Sequence, residues 1–336
     1  MTLEATYAAV RDAVAWFDMS DEGRFRISGP QHLEFVSEIV SSDVDAIYPG
    51  HIQNTVLFDA DGGIVAIVWI LKDDDSVLLM TEPEDRTAAA AHLASHVGTF
   101  EATVEDVTDV TFSIGNIGPR GQELARKVTD EDIVGLPYLG FEHNRTIGHL
   151  VARIGYVGEF EYRIVGPRPG DAILSRVVEE GAQLGGAEGT RDALPLMMAE
   201  MRSLNRQRDI PPGRTAIEAG LHAMINFRKP SFIGREVLEA QKGADAIRRK
   251  LVCLTFDRAD GVTAPSAVWI DDTAVGDLVA KYHSPGLDRD IGLAYVDADV
   301  AWVGIRFDLH ADGGAVVPAD AVSAPLLLTN TVRGAL

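Results

Sequence analysis

The chain has 336 residues, 46% of them hydrophobic, and a formal net charge of −21; its length favours two or three cores over one. The acidic excess excludes binding dominated by nucleic-acid phosphates, which rests on basic patches. No apolar run reaches the roughly 20 residues that span a bilayer, and Met1-Thr2-Leu3-Glu4 has neither the basic nor the apolar region of a secretory leader. With Cys253 as its single cysteine, unable to form an internal disulfide, the chain reads as cytoplasmic, with no membrane or nucleic-acid partner.

In chain order, Tyr7, Val10, Arg11, Val14 and Phe17 recur at spacings of three and four and predict an amphipathic helix over 3–17. A strand follows over 25–29, and Pro30 opens a helix through residue 40. Apolar runs at 54–58 and 64–71 flank Asp59-Ala60-Asp61-Gly62-Gly63, a hairpin signal. Asp73 to Asp75 form an acidic turn, which reads as a solvated tip, before a strand at 77–81 and an alanine-rich helix over 84–97. The alternation repeats: strand 111–115, a helix opened by Pro119, strands 148–156 and 161–165, and helices 170–181 and 190–202. This is an α+β pattern with helices on one face of the sheet. A linker is expected at 241–246, and beyond residue 251 short apolar runs broken by Gly and Asp predict an all-β barrel or sandwich.

Three motifs stand in order: Arg153-Ile154-Gly155-Tyr156-Val157-Gly158-Glu159, Ile217-Glu218-Ala219-Gly220-Leu221 and Phe232-Ile233-Gly234-Arg235-Glu236. With Val14-Ala15-Trp16-Phe17-Asp18-Met19-Ser20 near the start and Asp290-Ile291-Gly292-Leu293-Ala294-Tyr295-Val296 near the end, the chain resembles the glycine cleavage T-protein family of aminomethyltransferases. The resemblance implies a three-domain clover leaf around a central channel that admits a folate. The first domain is discontinuous (1–25 and 160–245), the second ferredoxin-like (26–159) and the third a C-terminal β-barrel (246–336). It implies tetrahydrofolate as cofactor, with Glu159 accepting hydrogen bonds from the pterin edge through two coplanar oxygens. Tyr156, Arg191 and Asn116 join it as cofactor-binding candidates, although Asn116 also reads as a cap for the following helix.

The departures matter as much. Where the family has Gly-Gly-Ile-Ile-Asp-Asp, this chain has Gly62-Gly63-Ile64-Val65-Ala66-Ile67, so the carboxylate that manages charge and a proton at the reacting carbon is missing. The family's Ser-His-Met-Gly reads Ser20-Asp21-Glu22-Gly23, an aromatic before the hairpin becomes Asn54, and Gly-Trp-Ala-Val becomes His222-Ala223-Met224-Ile225. His51, able to move protons near neutrality, and Asn54 are the candidate catalytic replacements. The nine histidines show no metal-ligand spacing. The expected function is a folate-dependent methyl or other one-carbon transferase, or demethylase, acting on a small-molecule donor other than the glycine-cleavage intermediate. A repurposed, folate-independent enzyme and a non-catalytic folate-binding protein are the alternatives; the second lacks support because Ser231 stands where that branch has cysteine.

Overall fold

The computed structural model describes residues 1–243 and 247–335, so the linker expected at 241–246 lies partly outside the described residues. Among them, no helix is long and apolar enough to cross a membrane. The first helix is shorter than its periodicity predicts, Leu3–Asp12. Ala15–Asp18 leaves it to form a strand, because this run of aromatic and apolar residues pairs on both sides, with Ala187–Glu188 and with Thr111–Ile117. Tertiary pairing overrides local helical spacing here. The expected helix over 190–202 likewise begins as a short 3-10 turn, and its α-helical part is Leu194–Met201.

An eleven-stranded sheet runs through the N-terminal two thirds of the chain without a break. At one end Ala15–Asp18, Thr111–Ile117 and Glu161–Pro167 lie side by side. At the other, His51–Phe58, Ile64–Lys72, Ser76–Thr81 and Gly23–Ser28 form a meander, with His149–Ile154 and Gly140–Asn144 bridging the two. Helices Gly121–Val128 and Asp171–Gln183 cover the first group through Leu124, Val128, Ile173 and Val177. His32–Ile39 and Arg86–His96 cover the second through Phe35, Val36, Ala89 and Leu93.

The strand Ile64–Lys72 shows how the sheet positions the site. Side chains alternate between faces along a strand. Ala66, Val68 and Ile70 are fully buried in the helix-covered core, which leaves Ile67 and Trp69 on the opposite face. The C-terminal unit is a closed six-stranded barrel, and closure leaves it no unpaired edge. Leu254, Phe256, Leu278, Val296, Phe307 and Leu309 are among the side chains that fill it.

Candidate functional site

The uncovered face of the sheet, helix Leu194–Met201 and the segment 202–224 enclose a cavity of about 300 Å³. Ile67, Trp69, Met80, Met198, Leu221 and Met224 make its apolar walls, and its polar ones include Asn54, Glu22, Glu82, Asp85, Tyr138, Tyr156, Arg202 and Arg206. Larger clefts carry less chemistry, as two of them show. In one, of about 1080 Å³, the buried Lys229 ammonium donates to the carbonyls of Ser37, Val40 and Ser42, so its charge caps a helix end. In the other, of about 590 Å³, burial pushes the Cys253 thiol up, away from the reactive thiolate.

The cavity's geometry follows from its strands. Asn54 pairs in register with Trp69, and the Asn54 amide donates to the Val68 carbonyl at 3.2 Å. Trp69 lies 5.9 Å from the Tyr156 ring, tilted by 49°. An aromatic wall therefore exists although the sequence comparison found an aromatic missing at residue 54. Of the two positions where the resemblance expects aspartate, Ile67 faces the cavity and Ala66 is packed in the helix-covered core.

Charge enters from two directions. Glu161 and Arg163 alternate along the strand Glu161–Pro167 and share one face, where Arg163 Nη2 donates to Glu161 Oε1 at 2.9 Å and to the Tyr156 hydroxyl at 3.0 Å. Glu22 reaches the same guanidinium at 3.2 Å. Its turn is held by the fully buried Arg24, which donates to the carbonyls of Met19, Ser20, Glu22 and Thr108. Glu82, directly after strand Ser76–Thr81, lies 3.6 Å from Arg191, which also pairs with Asp21. Burial raises the Glu161 carboxyl and drives Tyr156 far above its ordinary range. The cluster is incompletely satisfied: Glu22 Oε2, Glu161 Oε2 and Arg163 Nε and Nη1 are buried with no partner among the described residues. A smaller annex of about 200 Å³ shares Tyr138 and Gly155 with the cavity and is lined by both Glu159 and Glu161, neither of which lines the cavity itself. A Cβ at Gly155 would lie 3.2 Å from Glu161 Oε2, so the glycine lets the main chain pack against that buried oxygen.

Several sequence expectations are redirected. Glu159 does not line the cavity. Its oxygens accept from Arg11 Nη1 at 3.3 Å, from the Asn330 and Thr331 main-chain N–H groups at 3.2 and 2.9 Å, and from the Thr331 hydroxyl at 2.5 Å. It holds the start of the C-terminal helix Asn330–Ala335, with no oxygen left over for a ligand. His51 is exposed, its ring beside Tyr48 and the Pro49 carbonyl, and stands away from the cavity. Asn116 is buried mid-strand between Trp16 and Tyr162, with neither amide atom partnered among the described residues; it neither lines the cavity nor caps the helix, whose N-cap is Arg120. Tyr156 and Asn54 do line the cavity, and Arg191 touches it through Glu82. Glu22, Glu82, Glu161, Arg163 and Trp69 were missed. The available signal was Glu161 and Arg163 at a spacing of two inside an otherwise apolar strand, which demands a buried charged partnership.

Residues 2–229 match the GCVT N-terminal domain, and residues 249–327 match the glycine cleavage T-protein C-terminal barrel domain. The chain belongs to the glycine cleavage T-protein family. Among its relatives, an aminomethyltransferase of Alkaliphilus oremlandii is 28% identical over 323 residues, covering 92% of this chain and 85% of the relative. One from Thermotoga maritima is 26% identical over 325 residues, covering 94% and 87%. The crystal structure of the glycine cleavage system aminomethyltransferase T from Bartonella henselae superposes with a TM-score of 0.86 at 19% identity, covering 97% of this chain and 90% of that one. The T-protein fold, with its C-terminal barrel, is thus the fold of this chain.

Proposed function

We propose that this T-protein family member is a tetrahydrofolate-dependent one-carbon transferase whose donor is a small methylated molecule other than the glycine-cleavage intermediate. The observation that carries the proposal is Ile67, an apolar side chain facing the cavity where the resemblance expects a carboxylate. An isoleucine neither stabilises a developing cation nor takes a proton, so a reaction organised around that carboxylate has lost its central group.

The residues present suit a reduced pterin. A flat heterocycle with ring N–H donors needs aromatic walls and unused acceptors. Trp69 and Tyr156 supply the walls, and Glu161 Oε2, buried beside Gly155 with no partner among the described residues, is the nearby acceptor that a pterin edge would use. Asn54 and Tyr138 complete the polar edge. When bound, the folate supplies a nucleophilic ring nitrogen that receives the one-carbon unit. The chain's part is to orient the ligands and exclude water, and positioning alone contributes much of the acceleration.

A second reading, a folate-independent reaction, draws on the cavity's size, since about 300 Å³ is at the lower end for small-molecule sites. Anaerobic isothermal titration with tetrahydrofolate and 5-methyltetrahydrofolate separates the two. Micromolar binding is expected, followed by methyl transfer from one member of a panel of N-, O- and S-methyl compounds. Absence of binding would overturn the folate reading; turnover of the glycine-cleavage intermediate would overturn the assignment of donor.

A further inference from the structure

The cavity has lost one acid and holds others that the proposed reaction has not used. Glu22 and Glu82 both line it, and both belong to the set of charges around Arg163. Their neighbour Asp85 is committed: it accepts from Arg206 Nη1 at 3.2 Å and Gln207 Nε2 at 2.9 Å, a tie between the sheet and the segment after helix Leu194–Met201. Glu82 is not. Among the described residues its near cation is Arg191 at 3.6 Å, beyond hydrogen-bond length. Glu22 is 4% exposed, and its Oε2 has no partner among the described residues. An unpartnered buried acceptor and an uncommitted carboxyl on one cavity wall are costly for folding alone and suited to holding a proton.

We infer that Glu82, together with Glu22, is the proton carrier of this cavity, accepting the proton that a nitrogen nucleophile gives up when it is alkylated. The inference rests on the proposed transfer. In such a step the nitrogen lone pair forms the new N–C bond, and the pair of the breaking donor–carbon bond leaves with the donor heteroatom. The N–H proton passes to a Glu82 carboxylate oxygen. From there it goes to the departing heteroatom if that atom leaves as an anion, or to solvent if it leaves neutral. Glu82 suits this traffic because burial, then Glu22, raises its carboxyl to about 7, with Arg191 and Arg163 opposing and Glu84 adding a little. A carrier so poised is half-protonated near neutrality, where acid–base exchange is most efficient.

Two measurements test it. In the full-length protein with 13C-labelled glutamate carboxyls, the resonance lost in Glu82→Gln is expected to titrate near pH 7, and to move down by about one unit in Glu22→Gln. A midpoint near the ordinary glutamate value of about 4.3 would overturn the inference. In calorimetry at pH 7 across buffers of different ionisation enthalpy, tetrahydrofolate binding is expected to release protons from the wild type, as the carboxylate that accepts the N–H is formed, and not from Glu82→Gln. Binding with equal proton exchange in both proteins would overturn the proton role while leaving the folate reading intact. No binding by either would overturn the folate reading, and the resonance midpoint would still decide whether Glu82 carries a proton.

Discussion

Two buried acid–base clusters lie on either side of the turn 155–161, and they differ in how completely their hydrogen bonds are made. In the first, Glu200 accepts from Arg11 Nη2 at 2.5 Å, Tyr7 at 2.8 Å and Ser284 at 2.5 Å, while Glu159 accepts from Arg11 and the start of the C-terminal helix; among the described residues only Arg11 Nε lacks a partner there. It ties the first helix, helix Leu194–Met201, the barrel strand Thr273–Ser284 and the tail into one body. In the second, around Arg163, two carboxylate oxygens and two guanidinium nitrogens have no partner among the described residues, and Glu22, Glu82 and Tyr156 border the cavity. Largely satisfied buried charge acts as a structural clamp, whereas unsatisfied buried charge beside a cavity is what the proposed function draws on.

Breaking the clamp has the largest expected effect. Arg11→Ala leaves two buried carboxylates without their guanidinium and should cost about 3–5 kcal/mol in urea unfolding. Glu159→Ala strands the N–H groups that anchor the C-terminal helix and should cost about 2–3 kcal/mol. Its folate affinity, measured where the variant is folded, should be unchanged. On the cavity side the ordering reverses. Trp69→Ala should weaken tetrahydrofolate binding at least tenfold, about 1.4 kcal/mol, by calorimetry. The smallest effect is pH-dependent. Glu82 is raised to about 7 in the folded protein, above its unfolded value near 4.3. The native state therefore binds more protons through that window, and stability falls as pH rises through it. Glu82→Gln should raise the Tm at pH 8 and leave it nearly unchanged at pH 4, as read by calorimetric scans.

The fold was legible in the sequence because T-protein motifs stand in order across the chain and the hairpin and strand signals matched the observed elements closely. The hairpin at 59–63, for example, joins His51–Phe58 to Ile64–Lys72. The first helix was overextended because Val14 and Phe17 satisfy helical spacing and strand pairing equally well. The site was less legible. Glu159 and Glu161 stand two residues apart across the end of a turn, where neither helix nor strand periodicity fixes direction. Gly158, at φ 80° and therefore in the region that favours glycine, turns the chain so that Glu159 meets Arg11 and the tail while Glu161 enters the strand beside Arg163. Glu22 and Glu82 were invisible for another reason: their cationic neighbours, Arg163 and Arg191, stand far away along the chain.

The most direct test is a paired anaerobic titration of tetrahydrofolate into Glu161→Gln and Glu159→Gln. The cavity account predicts at least a tenfold loss of affinity in Glu161→Gln, about 1.4 kcal/mol, and wild-type affinity in Glu159→Gln. The reverse pattern, with binding lost in Glu159→Gln and kept in Glu161→Gln, would contradict it.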